Sequence, residues 1–167
     1  MFEVAVSEFD AVRVAALRHV GPFTELAPSF AKICEWAGAQ GLFQRGVQLV
    51  GMFHDDPKTT AAAELRSDAA VTLPEDVDGP FDAGVEVQVL PAGTYAAGIF
   101  QGPYERLPEV YGWLVAEWMP ANGVRATDGP SFEIYLNAPT SVAPEEIRTE
   151  IRFPVAGGRR GREKGPR

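Results

Sequence analysis

The stretches GPFTELAPSF (residues 21–30) and GPYERLPEVY (residues 102–111) align at an offset of 81, and that alignment decides how the chain folds. Outward from it, VAAL (14–17) faces YAAG (95–98) at the same offset. Further on, one inserted residue changes the offset to 82, so that Trp36 meets Trp118 and Gly41 meets Gly123. MFHDDP (52–57) then meets IYLNAP (134–139), and ELRSD (64–68) meets EIRTE (146–150). Register kept over about 55 positions identifies an internal duplication.

Each half reads alike. An apolar, β-branched segment (12–18 and 94–100) runs into a Gly-Pro pair, which ends a strand and opens a helix. Leu26, Phe30, Ile33 and Ala37 in one half, and Leu107, Tyr111, Leu114 and Trp118 in the other, share the spacing of a single helical stripe. Pro28 and Pro108 fall in the first turn, where a missing N–H is tolerated. Gly and Pro in GAQG (38–41) and MPANG (119–123) stop the helices. Two strands follow in each half, 48–54 with 63–73 and 132–136 with 147–154. The chain is therefore predicted to be α+β: a duplicated β-α-β-β unit with pseudo-twofold symmetry, antiparallel sheets, two helices and a central cleft along the axis. The halves are expected at about 10–74 and 84–155 within a single domain over 1–155, with PEDVDGPFDAGVEV (74–87) as connector.

Composition narrows the function classes. With 167 residues, 46% hydrophobic and 23% charged, the chain suits one globular domain with a real core. No run approaches the ~20 apolar residues of a membrane span, and the N-terminus does not read as a secretory signal. One cysteine, Cys34, leaves no internal disulfide and fits a reducing cytoplasm. One thiol and two separated histidines give little material for a zinc site or a catalytic triad. The Gly-Pro turns lack the Lys-Ser/Thr of a phosphate loop, so neither cofactor nor metal is expected. Asp55, Asp56, Glu64, Arg66 and Asp68 read as a structural network around a turn, and His19 and His54 as hydrogen-bonding residues at strand ends. The final residues, 156–167, hold five basic residues against one acid and are expected to be a disordered basic tail; the remaining chain then carries −12 of the overall −8. So acidic a body is not expected to bind DNA directly.

The motifs GMFHDDP…ELRSDAAVTL, PAGTYAAGIFQGPYERLPEVYGWLVAEWMPANG and GPSFEIYLNAP…EEIRTEIRFPV resemble the GyrI-like effector-binding superfamily. It takes in freestanding DNA gyrase inhibitory proteins (the SbmC group) and the drug-sensing domains of many AraC-type regulators. The likeness runs from about Val12 to Val155, and the family's duplicated β-α-β-β fold agrees with the repeat. About ten residues precede the first predicted strand, too few for the helix-turn-helix that AraC-type members carry.

One residue stands out chemically. Glu133 sits inside FEIYL (132–136), an apolar run where an unanswered charge is costly. Alternation sends Phe132, Ile134 and Leu136 to one face and Glu133 and Tyr135 to the other, which is either the cleft or solvent. Pairing with Arg148 or Arg152 across the sheet would make Glu133 structural. The resemblance implies a different role, since in drug-binding members a glutamate on this strand neutralises lipophilic cations in an aromatic cleft. The ligand-binding candidates are Glu133, Tyr135, Trp113, Tyr95 and Trp118. Trp36, Tyr111 and Phe132 supply further aromatic faces for cation–π contact. The leading expectation is a cytoplasmic, membrane-free protein that binds lipophilic, cationic small molecules for sensing or sequestration. One alternative is inhibition of DNA gyrase by protein–protein contact. The other is hydrolysis of reactive cyclopropane-type drugs, with Glu133 as the only acid or base and no further catalytic residue.

Overall fold

A computed structural model describes residues 2–157. The strands are β1 (Ala5–Phe9), β2 (Val12–Val20), β3 (Leu49–Phe53), β4 (Arg66–Thr72), β5 (Glu86–Leu90), β6 (Gly93–Gln101), β7 (Val124–Ala126), β8 (Ser131–Tyr135) and β9 (Arg148–Gly157). Helix α1 (Ala27–Ala39) links β2 to β3. Between β6 and β7 lie α2 (Leu107–Trp113), a π-helical turn (Leu114–Trp118) and α3 (Met119–Ala121), end to end. All strand pairs are antiparallel, in the order β1-β6-β9-β8-β3-β4-β2-β5, with β7 beside the end of β9. The α+β duplication, its symmetry and its two helical segments are as the sequence predicted.

The repeat is longer than the sequence reading allowed. Two strands, β1 and β5, precede the β-α-β-β units, and they stand at the same offset of 81. Each pairs with the other half: β1 lies on β6 with Ala5 opposite Ala97, and β5 lies on β2 with Glu86 opposite Ala16. These registers are identical under the repeat. The strip 84–87, assigned to the connector, is thus partly strand, and β1 occupies part of the segment placed before the first strand. A link of two residues, Asp10 and Ala11, joins β1 to β2 although they are near opposite ends of the sheet order. The sheet must therefore curl strongly, bringing its two ends near one another.

Curling gives the sheet two distinct faces. The concave interior holds Val14, Ala16, Val50, Met52, Ala70, Leu90, Tyr95, Phe132 and Ile134. The helices cover the other face. Leu26, Ile33, Trp36 and Ala37 pack on Ala15, Ala69 and Val71, while Leu107 and Val110 pack on Phe100 and Ile151. Alanines at 15, 16, 69, 70 and 96, all nearly inaccessible, let helix and curl approach the sheet closely. At the strand-to-helix turns Gly21 and Gly102 have φ of +136° and +153°, conformations that a side chain resists. Each is followed by a short 3₁₀ turn, Phe23–Glu25 or Tyr104–Arg106, and then a helix with proline in its first turn.

The one-residue insertion in the second half has a physical location. The repeat offset is 81 at Leu26/Leu107 and 82 at Trp36/Trp118, and the π turn lies between. A π turn is how a helix absorbs one extra residue without disturbing either flank. It carries the second stripe past Trp118, so Met119 is buried while Trp118 is only partly covered. Deleting Val115, which is exposed in that turn, is expected to leave an ordinary α-helix and a cooperative fold. Its melting temperature should fall by no more than a few degrees; helicity by circular dichroism and thermal melting check this.

The first-half polar network is structural, in two parts. Asp55 receives the Arg66 backbone N–H and its guanidinium at 2.8–3.0 Å. The Arg66 hydrogen bond holds the Asp55 pKa down at about 2. Asp68, fully buried, turns into the concave interior, where Arg18 Nε (3.0 Å), Gln88 Nε2 (3.1 Å) and His54 Nε2 donate to it. Burial pushes the Asp68 carboxyl up, and the His54 and Arg18 donors more than reverse this, holding it below the ordinary range. No helix among the described residues is long and apolar enough to cross a membrane. Strand β9 continues through Gly157, and the rest of the basic tail lies outside the described residues.

Candidate functional site

Strands β3 and β8 meet at the centre of the sheet, with Gly51 directly opposite Glu133. These two positions are also equivalent under the repeat, 82 residues apart. The pseudo-twofold axis therefore passes through this pair. Phe132 and Ile134 turn into the concave interior, so Glu133 and Tyr135 take the helix-covered face, as alternation demands.

On that face Glu133 is buried, 6% exposed. Tyr111 of α2 donates its hydroxyl to Oε1 at 3.0 Å, and Tyr135 donates to Oε2 at 2.8 Å. Burial raises the Glu133 pKa, and the two phenol donors lower it only in part. Burial and the neighbouring carboxylate push both phenols well above their ordinary values, so they remain protonated donors. Among the described residues no arginine, lysine or histidine pairs with Glu133. The arginine partners considered from sequence do not reach it. Arg152 bonds Glu150 at 2.7 Å and lies 3.9 Å over the Phe9 ring, placing it with the concave interior. Arg148, at the start of β9, is exposed.

Aromatic rings surround the carboxylate. Tyr135 meets Phe30 of α1 edge-on at 5.4 Å and Tyr104 at 5.7 Å. Phe23 packs on Phe53 at 5.0 Å, and the Phe53 ring lies over Gly51. The charge of Glu133, after burial, raises the Tyr104 pKa, which puts Tyr104 within its electrostatic reach. The repeat orders these residues: Phe23, Phe30, Gly51 and Phe53 of the first half correspond to Tyr104, Tyr111, Glu133 and Tyr135 of the second. One wall of the box is hydrocarbon. The other has gained three hydroxyls and a carboxylate. Ser67 and Thr149, equivalent residues next to Phe53 and Tyr135 on the flanking strands, have buried hydroxyls without a protein partner.

The structure brings Glu133 and Tyr135 together and sets the other three sequence candidates elsewhere. Tyr95 is buried in the concave interior, its hydroxyl on the Pro91 carbonyl at 2.6 Å and its ring against Phe132. Strand pairing puts it on the opposite face from Glu133. Trp113 packs edge-on against Phe2 at 6.0 Å. Trp118 joins Trp113 in the cluster around Leu114, Met119 and Val155. The sequence reading placed Tyr111 in the helix stripe and among the further aromatic faces, not among the ligand-binding candidates, and did not single out Tyr104, Phe23, Phe30 and Phe53 as neighbours of Glu133. The signal was present in the alignment, where each of these tyrosines faces a phenylalanine across the repeat.

Comparison with known proteins identifies the family. The model of the GyrI-like small-molecule-binding domain matches residues 2–156, and the chain belongs to that family. A DNA gyrase inhibitor of Serratia proteamaculans is 33% identical over 140 residues, 80% of this chain and 86% of the relative. Among solved structures, the EcmrR C-terminal domain superposes with a TM-score of 0.72 at 23% identity, covering 93% of this chain and 98% of that one. SAV2435, solved bound to tetraphenylphosphonium, gives a TM-score of 0.59 at 16% identity, covering 93% of this chain and 94% of that one. These two share the fold.

Proposed function

We propose that the protein binds lipophilic organic cations in the aromatic box around Glu133, as a sensing or sequestering module. The observation that carries this reading is a buried carboxylate answered by phenols alone. A structural glutamate in such a place normally has a cationic partner. Here that role is left to a guest, whose charge lies against Glu133 while its apolar body faces Phe23, Phe30 and Phe53. Seating such a cation exchanges an uncompensated desolvated charge for an ion pair and adds about 0.5–2 kcal/mol for each well-placed ring. The free thiol of Cys34 supports a reducing, cytoplasmic setting.

Tetraphenylphosphonium, the compound held by a neighbour of the same fold, is the natural first probe. At one hundred times its dissociation constant it should stabilise the fold by about 2.7 kcal/mol, roughly 5–10 °C in melting temperature. The neutral triphenylphosphine oxide should give a much smaller shift. Equal shifts from both, or none from either, would remove the cation-binding reading.

A second reading, contact with DNA gyrase, is favoured by relatives that carry that name at up to 33% identity. Loss of gyrase supercoiling at micromolar protein supports it, and unchanged supercoiling at large excess rejects it.

A further inference from the structure

We propose that Gly51 is a positioning residue: the bare backbone at 51 is what lets the Tyr135 hydroxyl reach Glu133, and so fixes how the carboxylate is presented to a cation. The second half of this statement rests on the binding reading above. The first half stands on geometry alone. A Cβ built at Gly51 would lie 2.7 Å from the Tyr135 hydroxyl and 3.1 Å from two atoms of the Phe53 ring. The first is closer than real carbon atoms come; the second needs only a small shift. Gly51 has ordinary extended backbone in mid-strand, its φ outside the left-handed region. Glycine is therefore not required there by conformation, and in a strand it costs stability. Space is the remaining reason, and Tyr135 is what fills it.

The consequence runs along a chain of three groups. Gly51 admits the Tyr135 hydroxyl, the hydroxyl holds Oε2 of Glu133, and Tyr111 holds Oε1 from the opposite side. Fixed between two donors, the carboxylate cannot swing toward solvent. Both donors also favour its charged form against burial. At the first-half mirror position, Phe53 leans over Gly51 as Tyr135 leans over Glu133. The glycine thus makes the floor of the hydrocarbon wall as well as the room for the polar one.

The test compares Gly51→Ala, Tyr135→Phe and the double variant on the full chain. The readout is the titration of the Glu133 side-chain carboxyl by carbon-13 NMR, its signal assigned by loss in Glu133→Gln. Each single substitution should move the titration midpoint upward, and Gly51→Ala should add nothing in the Tyr135→Phe background. Tetraphenylphosphonium affinity should fall several-fold in both single variants. An unchanged midpoint in Gly51→Ala, or an equal shift with and without the Tyr135 hydroxyl, overturns the proposal. Should Gly51→Ala fail to fold, recovery of folding on adding Tyr135→Phe supports the same conclusion, and continued failure overturns it. The midpoint is read without any ligand. Absence of tetraphenylphosphonium binding in the wild type would therefore count against the binding reading and leave the positioning role to be decided by NMR.

Discussion

Replacing Glu133 with Gln is expected to abolish the proposed preference for cations and to make the unliganded protein more stable at neutral pH. The two effects have one cause. Opposite charges about 4 Å apart gain roughly 4 kcal/mol at an effective dielectric of about 20, before desolvation of the guest. A net loss of about 2–3 kcal/mol, or 30- to 150-fold in affinity, is therefore expected for tetraphenylphosphonium. Neutral aromatics should change less than about threefold, since the rings are untouched. On stability, the folded pKa of Glu133 lies above its unfolded value near 4.3. The native state thus holds the proton more tightly. This contribution stabilises the fold below pH ~4 and is lost as pH rises through the folded pKa. Glutamine removes that slope and should raise stability at pH 7 by ~1 kcal/mol, the usual exchange between a binding site and its scaffold. Calorimetric titration with both ligands, and thermal melts from pH 4 to pH 7, decide the matter. Unaltered cation affinity, or a variant less stable than wild type at pH 7, would show Glu133 to be scaffold.

Asp68→Ala should be among the most damaging single substitutions in the fold, costing about 3 kcal/mol at pH 7. The carboxylate is fully buried and gathers Arg18, His54 and Gln88 from three other segments. Its removal strands those donors. Because Arg18 is partly exposed and can regain water, the lower end of the range for a broken buried pair applies. For a chain this long the fall in melting temperature is roughly 6–12 °C. Here the pH sign is opposite to that of Glu133. The Asp68 pKa is depressed in the folded state, so its contribution is present above the unfolded value near 3.9 and is lost as pH falls through the folded pKa. Urea unfolding of wild type and variant should therefore differ strongly at pH 7 and draw together as the pH falls below the unfolded value and through the folded one. A loss under ~1 kcal/mol at pH 7 would mean that the buried network is energetically neutral.

These two acids show how much of the molecule was legible in its sequence. The repeat, both helices and the four strands 48–54, 63–73, 132–136 and 147–154 rest on local periodicity, and the structure reproduces them within a few residues. AVSEF (5–9) and EVQVL (86–90) escaped because each is short and edged by polar residues, and because its partner strand belongs to the other half. No local signal names a distant partner. For the site, the unusual position of Glu133 was visible in FEIYL, but which aromatics surround it depends on helix phase. Tyr111 reaches the carboxylate from the helix stripe. Trp113 and Trp118 flank the π turn and pack instead with the cluster around Leu114, Met119 and Val155.

The exchange of β1 and β5 bears on how such a site could arise. Two separate copies of one unit would close in the same way, each lending its first strand to the other, as in a domain-swapped homodimer. Such a dimer would be obliged to place the same residue on both sides of its axis. A glutamate there would face its own copy across a strand pair, two buried carboxylates in direct repulsion. Joining the copies through residues 74–85 turns association into a unimolecular event and, more consequentially, frees the two positions to differ. Gly51 opposite Glu133 is what a symmetric ancestor could not encode: a single charge at the symmetry axis, with the facing place left empty.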